Sequence, residues 1–294
     1  MIAIDLEDWR KALNPTSTLM HRHESDVDET YLKQATKRVL EELDDLDIKA
    51  TFFVLGEIAL AAPKIIEDIS RHGHEIASHS PMHVPPRMIP KERFASLVKR
   101  DFQLLSELTG KPPRGFRTPY FALRRDEGWV LDVVAKSGFI YDSSVVPSWT
   151  PIYGIPFAPK TPYYPNLSDI SKPMNEGTIL ELPVTVWPSW KSLPGLPIGG
   201  GFFIRVWPNK LHIFVLKRMV RNKKLLNLYI HPGDLDSNKE EVKGLSLGDR
   251  IIQYSGKRRG AVNLRNILKE FKLGTFSDMF SVQLKLIEEK KRRQ

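Results

Sequence analysis

Two histidines four residues apart, in His79-Ser80-Pro81-Met82-His83, directly follow the β-like run His74-Glu75-Ile76-Ala77-Ser78. A strand that delivers its last residue into a loop, with a second imidazole one turn later, can aim both rings at one point. Such a pair needs only a carboxylate to complete a three-donor metal site with a position left open for water. Alone, the pair also fits surface or helix-capping roles. The acids that could complete it close the first apolar run, as Asp5-Leu6-Glu7-Asp8. In extended geometry Asp5 and Glu7 share a face and Leu6 takes the other. One acid can then bind a metal while the other takes a proton. Two neutral imidazoles and a carboxylate suit Zn²⁺ first, with Co, Ni, Mn or Fe as alternatives.

The elements that must position these groups alternate between strand-like and helix-like. Residues 2–6, 50–55, 74–78, 115–117 and 139–142 are short apolar or β-branched runs. Residues 29–46, 58–72, 90–109 and 126–137 between them carry helical spacing. Such repeats imply a parallel sheet with helical crossovers. The polar residues gather at the carboxyl ends of the strands, where barrels of parallel strands build their sites. Asp5, His79, Arg117, Asp142 and His231 all stand there, and a closed or nearly closed barrel would bring those ends together. Residues 146–173, rich in Pro, Tyr and Trp, read as an ordered loop or lid. A strand is expected over 178–186, a tight turn at Gly199-Gly200-Gly201, helices over 210–220 and 260–271, and an apolar run over 225–231.

The chain of 294 residues, with 41% hydrophobic and 27% charged residues and no cysteine, is long enough for a sizeable core and excludes disulfides and thiolate metal sites. No secretory signal or membrane-length apolar run is visible, which points to a cytoplasmic protein. The net charge of +9 favours an anionic partner. Basic residues in the end of the chain, 288–294, and around Lys217–Lys224 suggest peripheral contact with an anionic membrane. No nucleic-acid-binding signature accompanies the charge.

Five blocks occur in order: Ala3-Ile4-Asp5-Leu6-Glu7-Asp8-Trp9, His79-Ser80-Pro81-Met82-His83, Arg117-Thr118-Pro119-Tyr120, Tyr141-Asp142-Ser143-Ser144 and Leu228-Tyr229-Ile230-His231-Pro232. With the connecting stretches 50–56 and 73–79, they resemble the polysaccharide deacetylases of carbohydrate esterase family 4. The later Gly199-Gly200-Gly201-Phe202-Phe203 and His231-Pro232-Gly233-Asp234-Leu235-Asp236 are similar to a branch found with bacterial exopolysaccharide genes. The resemblance implies an α/β fold, a distorted (β/α) barrel of about seven parallel strands. It implies one catalytic domain over residues 1–280, followed by a basic C-terminal helix or tail over 281–294.

By the same resemblance Asp5 is the catalytic base, and His79 and His83 are metal ligands. Arg117 orients the base, and the backbone N–H of Tyr120 stabilises the oxyanion. His231 is the general acid, and Leu228 lines the pocket for the acyl methyl. The family's common pattern has two adjacent aspartates, but Leu6 occupies the second place here. Glu7 and Asp8 therefore compete as third ligand, with Glu7 favoured by its shared face with Asp5. Asp142 is the candidate to tune His231, or else a cap on the next segment. Trp149, with Trp9, Trp187 and Trp190, could stack on sugar rings. His21, His23, His72 and His212 read as surface residues and His74 as a hydrogen-bonded core residue. The implied activity is metal-dependent removal of N-acetyl groups from an amino sugar polysaccharide or lipid-linked oligosaccharide. The alternatives are an allantoinase-like amidohydrolase and a catalytically silent carbohydrate-binding protein.

Overall fold

The computed structural model describes residues 1–8, 27–150, 153–188, 194–239, 241 and 244–292. Trp9, Trp190, His21 and His23 lie outside the described residues. The first half alternates strands with helices: β1 (Ile2–Leu6), α1 (Glu29–Asp44), β2 (Thr51–Val54), α2 (Gly56–Ala61), α3 (Pro63–Arg71), β3 (Glu75–Ser78), α4 (Lys91–Thr109), β4 (Gly115–Phe116), α5 (Gly128–Lys136) and β5 (Tyr141–Asp142). There follow β6 (Tyr164–Asn166), β7 (Asp169–Met174), β8 (Leu180–Glu181), α6 (Gly201–Val206), α7 (Asn209–Arg221) and β9 (Leu228–Ile230). The chain ends in α8 (Leu247–Tyr254), α9 (Gly260–Glu270), α10 (Phe276–Met279) and α11 (Ser281–Arg292).

Seven strands form one parallel sheet in the order β8-β5-β4-β3-β2-β1-β9, curled into the half-barrel of a distorted (β/α) barrel. Strands β1 and β2 are buried on both faces, which is why they read as continuous apolar runs. Ile2, Ile4, Leu6, Phe52, Val54, Leu228 and Ile230 pack outward against the helices. The alternate residues Ala3, Phe53, Ala77, Tyr141 and Tyr229 fill the inside of the curl. This two-residue parity decides which strand-end residues can reach a common site.

The seam between the two edge strands is bridged beyond β8. Thr185 N donates to Asn227 O at 3.1 Å, Asn227 N donates to Thr185 Oγ1 at 2.7 Å, and Asn227 Nδ2 reaches Leu182 O at 2.8 Å. At the amino end of the strands Phe276 plugs the interior, stacked on Tyr141 and edge-on to Phe53. Helix α11 is docked rather than a free tail: Leu284 and Ile287 are buried, and Lys291 donates to the carbonyls of Ala135 and Phe139 at 2.6 Å each.

The helix read over 58–72, with Pro63 at an early turn or kink, breaks at Ala62 (φ −133°), and Pro63 restarts it as α3. Two departures from the sequence reading have local causes. The stretch 146–173 contains a hairpin, β6–β7, that its prolines disguise: Pro165 and Pro173 sit opposite each other in a two-stranded ribbon outside the main sheet. The strand expected over 178–186 shrinks to Leu180–Glu181, since the chain beyond it leaves to bridge the seam. His72 is half-exposed and paired with Asp44, and His74 is buried, its Nδ1 accepting from Ala50 N. His212, read as a surface residue, is fully buried and donates from Nε2 to Ile198 O at 3.0 Å.

One buried acid sits directly behind the first histidine. Asp101 on α4 accepts from Ser78 Oγ at 2.5 Å, and Ser78 immediately precedes His79. Burial pushes the Asp101 carboxyl up from about 3.8 to about 7. A raised carboxyl favours the fold while protonated, so its contribution is whole below about pH 4 and is lost as pH rises through about 7. Asp101→Asn keeps the acceptor and removes the titration. The variant is expected to show a flatter melting temperature between about pH 5 and about pH 8, gaining on the order of a few kcal/mol over the parent at the alkaline end. Parallel melting curves for parent and variant would contradict this.

Candidate active site

The register of the sheet lines up the chemistry. Leu6, Val54, Ser78 and Phe116 occupy one row across β1, β2, β3 and β4. The next residues along three of these strands are Glu7, His79 and Arg117. Asp5 lies inside the curl by parity with Ala3, and His231 by parity with Tyr229. All but Arg117 line a cavity of about 380 Å³ at the carboxyl end of the sheet.

Glu7, His79 and His83 present donor atoms within 4.8 Å of one another, and all three are buried. Glu7 Oε1 lies 2.6 Å from His79 Nε2 and 3.1 Å from His83 Nε2. Asp8 is buried but outside this group. The tautomer of His79 follows from its other nitrogen. Nδ1 is 3.0 Å from Arg117 O, and a carbonyl can only accept, so Nδ1 carries a proton. In the neutral ring the Nε2 lone pair then faces the Glu7 carboxylate, acceptor against acceptor. Glu7 Oε2 and His83 Nδ1 are buried without a hydrogen-bond partner among the described residues. This donor set fits a divalent cation: two imidazoles and a carboxylate around one point, with the Arg117 carbonyl fixing one ring from behind. Burial acts to raise the Glu7 carboxyl, but the neighbouring His83 and His231 outweigh it and hold it well below the usual range.

Beside this group, Arg117 is completely buried and donates from Nη1 to Asp5 Oδ1 at 2.6 Å. Its Nε and Nη2 go to Ser143 O and Oγ at 3.0 and 2.9 Å, and its Cζ lies 4.0 Å over the Phe53 ring. The guanidinium is therefore fixed on three sides, and so is the carboxylate it holds. Tyr120 lines the cavity at φ 57°, followed by Phe121 at φ 51°, and its ring packs on His83 with centroids 4.1 Å apart. Trp149 stands at the cavity rim, 72% exposed.

His231 faces the group from β9, with Nε2 3.9 Å from Glu7 Oε2. Its partner is Asp234: Oδ2 accepts from His231 N at 2.8 Å and lies 3.4 Å from Nδ1. Asp234 is in turn ion-paired with Arg205 Nε at 2.9 Å, and Arg205 also donates to the carbonyls of Ile252, Gln253 and Ser255 at the end of α8. Burial would lower the His231 pKa, but Glu7 and Asp234 outweigh it and raise it to about 9. Gly201 permits this packing, because a Cβ there would lie 2.1 Å from Asp234 Oδ2. Asp234→Asn should lower kcat about 10- to 100-fold with metal content unchanged; an unchanged kcat would remove Asp234 from the site.

Two sequence assignments are corrected. Asp142 does not reach His231 and takes its other expected role, a cap on the next segment. It lies on the outer side of the curl, where it accepts from Ser144 N and Oγ at 2.9 and 2.8 Å and shares a buried pair with Glu181. Burial pushes both of these carboxyls up, so the pair is short of charge. Leu228 likewise packs into the outer core and does not line the cavity; Tyr229, one residue on, does. Both errors ignore strand parity, which the spacing to His231 and Tyr141 already contains. Asp234 had a signal too, since an acid three residues after His231 can accept from its backbone N–H in a capping box.

The fold and the site together define a parallel α/β half-barrel with a two-histidine, one-carboxylate cluster between a buried acid–arginine pair and a histidine–acid pair. Residues 26–139 match the family model for polysaccharide deacetylases, and residues 143–281 match a domain of unknown function, DUF3473. A peptidoglycan-N-acetylglucosamine deacetylase of Bacillus cereus is 32% identical over 85 residues, 29% of this chain and 31% of the relative. A peptidoglycan deacetylase of Helicobacter pylori is 23% identical over 252 residues, covering 80% of this chain and 82% of that one. The matches span about a third of the length of the first curated relatives. Among solved structures, a polysaccharide deacetylase-like protein from Mycobacterium smegmatis superposes with a TM-score of 0.62 at 19% identity, over 99% of this chain and 90% of that one. The PuuE allantoinase superposes with a TM-score of 0.56 at 15% identity, over 91% and 82%. Residues 26–139 thus match a polysaccharide deacetylase domain, and the solved structures share the fold. Among the described residues no helix is long and apolar enough to cross a membrane.

Proposed function

We propose that the protein is a divalent-metal-dependent hydrolase that removes N-acetyl groups from an amino sugar polymer or oligosaccharide. The observation that carries this reading is the convergence in one cavity of the Glu7–His79–His83 cluster with Asp5 on one side and His231 on the other. Glu7, His79 and His83 hold the ion, most simply Zn²⁺. When bound, it supplies Lewis-acid activation of a water and of the amide carbonyl. Asp5 takes the proton from the attacking water, held at the right angle by Arg117. The backbone N–H of Tyr120 stabilises the oxyanion of the tetrahedral intermediate. His231, kept protonated and oriented by Asp234, gives its proton to the departing amine, which is a poor leaving group without it. Trp149 at the rim offers a flat apolar face to a sugar ring. Residues 1–280 act as one catalytic unit, since the cavity draws on Asp5 at one end of the chain and Gln253 toward the other.

The test is acetate release, with and without chelator, from a panel of N-acetylated saccharides set beside allantoin-type amides. Chelator-sensitive acetate release from N-acetylglucosamine oligomers is expected. Turnover of the amides alone would replace the reading with an amidohydrolase, and no turnover of either would leave a silent binding protein.

A further inference from the structure

Between residues 182 and 233 the chain has eight Lys and Arg and no Asp or Glu, against a net charge of +9 for the whole molecule. Helix α7 lies in this stretch. His212, Val215, Leu216 and Met219 form its buried face. Its outer face carries Leu211, Phe214 and Val220, of which Phe214 is 59% exposed. Around them stand the exposed cations Lys210, Arg218 and Arg221; Lys217 is engaged with Glu270.

The inner side of this helix is linked to the cavity rim. Trp207, just beyond α6, meets His212 of α7 at 5.5 Å, Phe203 at 5.8 Å and Trp187 at 6.4 Å between ring centroids. Trp187 is paired by two backbone hydrogen bonds with Leu196, which is 48% exposed and lines the cavity with Phe203. Half-buried Phe203 and Trp207 thus link the cavity rim to the inner side of α7, whose outer face carries exposed cations and one paired acid, Glu270 on Lys217. The basic end of the chain is a poorer candidate for contact with an anionic surface, because Lys290 is paired with Glu176 and Lys291 caps internal carbonyls.

Exposed Phe and Leu among Lys and Arg match the two components of a bilayer interface, the acyl boundary and the anionic headgroups. We infer that the outer face of α7 and the adjoining Trp187–Leu196 pair dock on an anionic lipid bilayer. The cavity then opens at the membrane surface, which, resting on the deacetylase reading, favours an N-acetylated sugar carried on a lipid. Docking is independent of turnover and can be measured without it.

The experiment is vesicle co-sedimentation of the full chain at low and high salt. The parent should bind vesicles rich in phosphatidylglycerol, release with salt, and ignore pure phosphatidylcholine. The triple variant Phe214→Ser/Arg218→Glu/Arg221→Glu should bind at least about tenfold more weakly, with an unchanged melting temperature because all three side chains are exposed. Lys99→Glu/Arg100→Glu on α4 makes the same change in net charge on another face and should bind like the parent. Absent parent binding, equal binding to neutral vesicles, or equal losses in the two variants would overturn the inference. So would retention on a soluble polyanion without vesicle binding. None of these would touch the deacetylase reading, which acetate release tests separately.

Discussion

Asp5→Asn is expected to leave the metal in place and to lower kcat for acetate release about 10²- to 10⁴-fold, the range of a lost general base. Asn keeps the size of Asp5 and an oxygen for Arg117 Nη1, which now donates to Asp5 Oδ1 at 2.6 Å. It cannot accept a proton from water. The substitution also leaves a fully buried guanidinium without its anion, which costs on the order of 3–5 kcal/mol when a buried pair is broken. Activity must therefore be measured per folded, metal-loaded chain, with melting temperature and metal content recorded on the same sample. Loss of activity together with loss of metal would mean that Asp5 is a ligand and that the assignment of roles is wrong. Retained activity would mean that another group takes the proton.

The second large effect separates the two acids that follow. Glu7→Gln should weaken metal binding by more than the roughly 10- to 100-fold typical of an outer-shell partner, because Glu7 Oε1 lies within 3.1 Å of both imidazoles. Asp8→Asn should leave metal affinity close to the parent, since Asp8 stands outside the three-residue group. His79→Ala should behave like Glu7→Gln. Metal titration with a competing chelator reads all three. The reverse order for Glu7 and Asp8 would mean that the chain turns differently once an ion is bound.

The sequence made the architecture and the two histidines legible because both depend on local pattern. Alternating apolar runs and helical spacing require a parallel sheet with crossovers, and the carboxyl ends of such strands gather polar residues. Parity carried the Asp5–Glu7 pair as well. At Leu228 and Asp142 the same parity, one residue off from Tyr229 and Tyr141, puts the side chains on the outer face of the sheet. Other features were hidden for physical reasons. The β6–β7 hairpin pairs prolines, which lower strand propensity but are tolerated in an isolated ribbon. Helix α8 is short and turned against the usual rule, burying Asp249 while Leu247, Ile251 and Ile252 are exposed, so its apolar residues do not mark a core-facing side. The Arg205–Asp234 pair joins α6 to the turn after β9, a contact set by tertiary packing around Gly201 that no spacing rule reveals.

The central claim is that Glu7, His79 and His83 hold one divalent ion in the cavity between Asp5 and His231. The most direct measurement is anomalous diffraction at the zinc edge from crystals of the full chain grown with zinc. The expected result is one strong peak bonded to a Glu7 oxygen and to His79 and His83 Nε2, with Asp8 outside the coordination sphere. A map with no peak at that point, or with zinc bound by Asp8 in place of Glu7, would contradict the assignment.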